Sequence, residues 1–270
     1  MRAVAFVLAA AAPYQASALL DHGARRALRG RRLRGATFGL VTRTSPSDAN
    51  PMASLQYYGK SVAIDGDIAV VGATGDSREA GAAYVLRTTD GGATYVELAK
   101  LTASDGTYDR RFGYSVAIDG NTIVVGAPGA TDRTTGLTED RRRASAFRTT
   151  VGWASRTELK LTAADAEERA GVGGAVAIAG GTIVVGAWNQ GGGAAYVYRT
   201  TDGGGTYPQV AKLSSDCVNV FYPSQPCSGD AFGASVAISE SGDTIVAGAW
   251  GHDDAKYDAG AYSASTDMGS

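Results

Sequence analysis

Histidine, cysteine and proline are scarce in this chain of 270 residues, which has 2, 2 and 7 of them respectively. Two histidines, of which His22 lies close to the N-terminus, argue against histidine-based triads and zinc sites. Charge of one sign is also missing. The formal net charge is −2, so no nucleic-acid or anionic-surface partner follows from it. The longest apolar run, Ala3 to Ala12, is far short of the roughly 18 residues that a membrane-spanning helix needs. What is abundant is glycine, 37 residues, roughly twice the ordinary usage. There is no G-X-Y period. The glycines recur instead at fixed places in long repeats, which marks turns and close backbone approach.

The N-terminus reads as a targeting segment. Arg2 gives a positive start, Ala3 to Ala12 an apolar stretch and Ala16-Ser17-Ala18 a small-x-small cleavage site. Residues 1–18 are thus expected to be a secretory signal peptide, and the chain to be secreted or displayed at a cell surface. Residues 19–34 follow as an arginine-rich linker (Arg25, Arg26, Arg29, Arg31, Arg32, Arg34), read as a solvated basic run. The alternative is an organelle address formed with the leader. No aromatic side chain is interleaved with these arginines, which argues against nucleic acid. Cys217 and Cys227 read as a disulfide-stapled loop in an oxidising compartment.

Four segments repeat. Tyr58-GKSVAIDGDIAVVGAT, Phe112-GYSVAIDGNTIVVGAP, Val172-GGAVAIAGGTIVVGAW and Phe232-GASVAISESGDTIVAGAW start 54, 60 and 60 residues apart. Each opens with a strand (Ser61 to Ile64 in the first) and a tight turn such as Asp65-Gly66-Asp67, expected as type I′. A second strand follows, Ile68 to Ala73, apolar on both faces as in a sheet covered on both sides. A third strand begins at Ala82, Ala144 and Ala194, and a fourth at Val96, Arg156 and Gln209. One unit is therefore four antiparallel strands, the size of a propeller blade. Thr88-Thr89-Asp90-Gly91-Gly92-Ala93-Thr94-Tyr95 and Thr200 to Tyr207 fit S/T-x-D-x-G-x-T-aromatic between strands three and four. This resembles the Asp-box hairpin of sialidases and other propellers, and the second unit has lost it (Val151 for Asp). Fold expectation: all-β, a β-propeller with blades at about 58–105, 112–165, 172–216 and 232–270. Gly35-Ala36-Thr37-Phe38 matches the second half of the Asp-box, so residues 36–44 are expected as a strand four that completes the last blade. The alternative is an open part of a larger array.

Phe112-Gly113 with Gly126-Ala127-Pro128 reads FG…GAP outright. Tyr58-Gly59 with Gly72-Ala73-Thr74, Val172-Gly173 with Gly186-Ala187-Trp188, and Phe232-Gly233 with Gly248-Ala249-Trp250 vary it. The chain resembles the FG-GAP repeats of integrin α-subunit propellers. That resemblance implies an extracellular recognition or adhesion role, with a protein or glycan ligand. It departs in having four repeats rather than seven. Its strand-one-to-two turns also carry too few oxygens for the calcium loops of that family, so no cofactor is expected and calcium is only weakly supported.

Function is expected on the variable loops between strands two and three and between blades. The candidates are Arg141, Arg142 and Arg143 for an acidic ligand, Trp188, Trp250 and His252 for ligand contact, and Asp253, Asp254 and Asp258 for a metal. Each has a plainer reading as solvated charge or packing. The Asp-box turns lie on the opposite face, so catalysis is not expected. A sialidase-like glycosidase and a purely structural array element are the alternatives, the latter with chains associating end to end.

Overall fold

The computed structural model describes residues 5–10, 38–47, 57–76, 80–104, 111–129, 143–153, 155–163, 165–166, 170–189, 191–214, 231–250 and 261–265. Every extended element in them is an antiparallel strand, and the four repeats become four successive sheets. Sheet 1 is β3 (Tyr58–Asp65), β4 (Ile68–Ala73), β5 (Ala82–Arg87) and β6 (Val96–Leu101). Sheet 2 is β7 (Ser115–Asp119), β8 (Thr122–Ala127), β9 (Arg143–Val151) and β10 (Ser155–Thr162). Sheet 3 is β11 (Val172–Ala179), β12 (Thr182–Ala187), β13 (Ala194–Arg199) and β14 (Gln209–Ser214). Sheet 4 has three strands, β15 (Phe232–Ile238), β16 (Thr244–Ala249) and β17 (Ala261–Ser265). A further pair, β1 (Ala5–Ala10) and β2 (Phe38–Thr44), precedes them. The all-β, four-repeat propeller architecture is the expected one.

The apolar second strands explain the stacking. Val70, Val85 and Leu101 of sheet 1 meet Val116, Ile123 and Phe147 of sheet 2 in one buried cluster. Val124 and Leu161 of sheet 2 meet Ile183, Tyr196 and Tyr198 of sheet 3, and Val184 and Val197 meet Ile245 and Ala247 of sheet 4. A strand apolar on both faces is satisfied only between two such neighbours. Burying each valine, leucine, isoleucine or phenylalanine side chain among these contributes about 1.5–3 kcal/mol.

The Phe-Gly and Gly-Ala elements are the joint between sheets. In each repeat the second glycine of the pair (Gly59, Gly113, Gly173, Gly233) has φ between 82° and 90°. It is the third residue of a turn closed by bonds such as Tyr114 N–H to Arg111 O at 3.1 Å. A type II turn demands that conformation, which only glycine takes without strain. In Gly113, Gly173 and Gly233 the residue's own carbonyl faces the Gly-Ala glycine of the preceding sheet. A Cβ on Gly72 would lie 2.0 Å from Gly113 O, one on Gly126 2.0 Å from Gly173 O, and one on Gly186 1.9 Å from Gly233 O. Ser61 and Ser115 donate their hydroxyls to the same two carbonyls of Gly113 and Gly173, each at 2.8 Å. The sequence motif is thus a backbone-to-backbone contact that no side chain fits.

Two expectations change. The turns at Asp65 and Asp119 have positive φ only at Gly66 and Gly120 (56° and 54°), the II′ requirement, whereas Gly180 and Gly181 are both positive as in type I′. Among the described residues β2 pairs with β1 rather than with sheet 4, sheet 4 has three strands and the sheets do not close into a ring, so the expected completion of the last blade by residues 36–44 is not what the structure has. The reason lies in β1. Ala5-Phe6-Val7-Leu8 matches the strand-three sequence Ala83-Tyr84-Val85-Leu86. Its ladder to β2 skips Val41 at the repeat position where β5–β6 skips Leu98 and β13–β14 skips Val210. Ser47 N–H and Oγ donate to Glu97 at 3.0 and 2.9 Å, as Ser104 N–H donates to Glu158 at 3.0 Å one repeat later. So β1 and β2 are strands three and four of a half-blade placed before sheet 1.

Candidate functional site

The two ends of the sheets differ in chemistry. At the hairpin end, the Asp-box turns are closed on themselves. Asp90 accepts from Thr94 N–H (2.9 Å), Thr94 Oγ1 (2.6 Å) and Thr88 Oγ1 (2.8 Å). Asp202 accepts from Thr206 N–H (3.0 Å), Thr206 Oγ1 (2.9 Å) and Thr200 Oγ1 (2.7 Å). The Thr94 hydroxyl and amide hold Asp90 well below the usual carboxylate range, and the Thr200 hydroxyl with Thr206 does the same for Asp202. A carboxylate with its lone pairs so occupied serves the turn rather than a ligand. In the second repeat, with Val151 in the Asp position, Thr149 Oγ1 donates instead to Ser155 O at 2.9 Å and Trp153 is buried.

These shifts set a pH dependence. Asp90, Asp202, Asp165 and Glu158 all have folded values below their unfolded ones, so their contribution is present above about pH 4 and is lost as pH falls through the folded values. The expected result is an unfolding midpoint that drops between pH 5 and pH 2, with a shallower drop in Asp90→Asn/Asp202→Asn. An unchanged slope in that double variant contradicts the assignment.

At the loop end, the structure shows a feature that sequence reading missed. Asp76, in the loop after β4, is buried and accepts the Tyr84 hydroxyl and the Lys100 ammonium, the latter at 2.9 Å. Lys100 also sits 5.4 Å from the Tyr84 ring centre. The third repeat builds the same set from Lys212, Tyr196 and Asp165, with Lys212 Nζ 2.6 Å from the carboxylate. There the Lys212 hydrogen bond holds Asp165 low. The second repeat uses Ser145, Lys160 and Glu158; burial pushes Glu158 up, and hydrogen bonds from Lys160, Ser104 and Ser145 outweigh it. Recurrence in three sheets, with the acid drawn from a different segment each time, marks a charge-neutralising clamp at the blade's outer strand. The signal in the sequence was the Tyr/Ser–Lys pairing across strands three and four.

Of the expected site residues, Trp188 and Trp250 are described. Trp188 lies against the glycine turn that opens the third repeat: a Cβ on Gly171 would meet its Nε1 at 2.8 Å and one on Gly174 its Cδ1 at 2.6 Å. Asn189 N–H fixes the same corner by donating to Ala170 O at 3.0 Å. The outer face of Trp188 stays open, 38% exposed, and Trp250 is 74% exposed. Packing and exposure therefore coexist in Trp188. Arg143 opens β9. Arg141, Arg142, His252, Asp253, Asp254, Asp258, Cys217 and Cys227 lie outside the described residues. Among the described residues no group of three or more His, Cys, Asp or Glu could hold a metal ion, and no helix is long and apolar enough to cross a membrane.

A repeated all-β stack jointed by Phe-Gly and Gly-Ala glycines defines a propeller-type scaffold. The sequence profile described as the FG-GAP repeat matches residues 41–86, 95–141, 156–198 and 218–264, and the chain belongs to that family. The first three matches start within or just before a fourth strand and end in or beside the next sheet's third, so the family unit straddles the glycine joint. No curated protein matches the sequence. Among solved structures, a protein of Lactobacillus plantarum is similar at TM-score 0.47 and 12% identity, over 77% of this chain and 55% of its own. Sqt1 of Saccharomyces cerevisiae is similar at TM-score 0.41 and 9% identity, over 73% and 44%. This chain thus spans about half the length of those structures.

Proposed function

We propose that the chain is a non-catalytic recognition scaffold, secreted or held at a cell surface, that binds a protein or glycan ligand on its loop end. The observation that carries this reading is the exposure of two tryptophans, Trp188 and Trp250, at equivalent loop corners. Large aromatic side chains left open on a rigid frame are the usual anchors of binding. The Asp-box end offers no counterpart, since Asp90 and Asp202 are occupied within their own turns. The family resemblance to extracellular propellers supports the location.

The test is a glycan array and a panel of extracellular proteins probed with the chain, with turnover followed in parallel. Saturable binding without turnover is expected. Trp250→Ala should then weaken binding about 30-fold, the ~2 kcal/mol typical of an interfacial tryptophan, with the melting midpoint unchanged. Turnover of a bound glycan, or binding indifferent to both tryptophans, overturns the reading.

A further inference from the structure

The glycine joint occurs three times inside the chain and is left half-made at each end. Gly72, Gly126 and Gly186 each face the turn carbonyl of the next sheet, whereas Gly248, at the same place in sheet 4, meets among the described residues Ser235 of its own sheet. Ser235 matches Ser61 and Ser115, whose hydroxyls reach across a joint. At the other end the Tyr58-Gly59 turn, in the same conformation as Phe112-Gly113, faces no Gly-Ala glycine among the described residues.

The apolar faces beside these half-joints are open in the same way. Val62 and Ile64 of β3 are 62% and 60% exposed, while Val116, at the position of Val62 in sheet 2, is 9% exposed. Val246 of β16 is 37% exposed, while its equivalents Val70, Val124 and Val184 are fully buried. The half-blade of β1 and β2 accounts for the pattern. It lies before sheet 1 as strands three and four, where Ala69, Val71, Tyr84 and Leu86 are buried, and leaves strand one, with Val62 and Ile64, uncovered. Among the described residues no strand one or strand two lies beside that half-blade.

We infer that a second copy of the chain supplies them: sheet 4 of one copy docks on sheet 1 of another, Gly248 against the Gly59 carbonyl, repeating the internal joint. Within one chain three packed joints separate the two faces. A second copy presents the same pair of faces without parting the three internal joints, at the cost of displacing β17. A pair in which both such joints form leaves neither face free. The joined blade has one third-strand position for two strands. β1 has Val7 and Leu8 where β17 has Ser263 and Ala264, so β17 yields.

The test is the mass of the full chain in solution by light scattering or sedimentation over a wide concentration range. A species of twice 27.6 kDa is expected. Gly248→Ala is the discriminating variant. The backbone there is not in the left-handed region and the added methyl meets only the rotatable Ser235 hydroxyl, so the single copy keeps its fold. At the docked joint the methyl would strike a carbonyl, and association should weaken at least about tenfold. Ile64→Glu, at the opposite end, should do the same. A chain that stays monomeric throughout overturns the inference. So does association that neither variant weakens, or a monomer whose melting midpoint falls in Gly248→Ala, which would mean closure within one chain.

Discussion

Replacing Tyr84 by alanine should cost about 3–5 kcal/mol of folding stability, the range for removing a fully buried aromatic side chain. The ring has no exposed surface and packs edge-on against Tyr58 with centroids 5.4 Å apart. Its hydroxyl, together with the Lys100 ammonium, donates to the Asp76 carboxylate inside the protein. Truncation therefore opens a cavity in the buried cluster of sheet 1 and also removes a partner from a buried charge, two penalties that add. Tyr84→Phe separates them. It keeps the packing, loses only the hydrogen bond, and should cost about 1–2 kcal/mol. Denaturant unfolding of both variants checks this. Equal losses would mean that packing of the ring contributes nothing.

Alanine at a joint glycine should be as damaging for the opposite reason, lack of room. At Gly126 a methyl would meet Gly173 O at 2.0 Å and Ser115 Oγ at 2.3 Å, and at Gly186 it would meet Gly233 O at 1.9 Å. The serine can rotate away, but the carbonyls belong to type II turns in the next sheet and cannot move without breaking them. Overpacking against a flexible neighbour costs about 1–3 kcal/mol; against fixed backbone the upper end, about 3 kcal/mol, is expected. The loss should come with exposure of the apolar faces of the two parted sheets, read as dye binding before global unfolding.

Much of this fold is legible in the residues. The alternation in Ser61 to Ile64, the doubly apolar Ile68 to Ala73 and the Asp-box spacing place strands and hairpins where the structure has them. The phase of residues 37–48 against 94–105 also places β2 as a fourth strand. Its partner was not legible. The segment Ala5 to Ala10 is apolar in the way of a leader peptide and in the way of a third strand at once, and composition cannot separate the two. Only the one-residue skip at Val41 and the Ser47–Glu97 bonds show which slot the pair fills. The clamps of Asp76 and Asp165 escaped for a similar reason. Their lysine and tyrosine repeat in the sequence, but the acid comes from the loop between strands two and three in one repeat and from the loop before the sheet in the other, so no fixed spacing announces it. The left-handed residues Tyr57, Arg111 and Ala231 were hidden because only the third repeat, with Gly171, advertises that backbone. For the candidate site, the two tryptophans were legible as occupants of the Pro position of the motif, and their exposure was not.

The central claim is that the Phe-Gly and Gly-Ala glycines are a joint between sheets. The most direct test is equilibrium unfolding of Gly72→Ala, Gly126→Ala, Gly186→Ala and Gly248→Ala, in solution dilute enough for single copies. The account predicts losses of about 3 kcal/mol at the first three positions and less than about 0.5 kcal/mol at Gly248, where no next sheet is present. Four equal losses, or none, would contradict it.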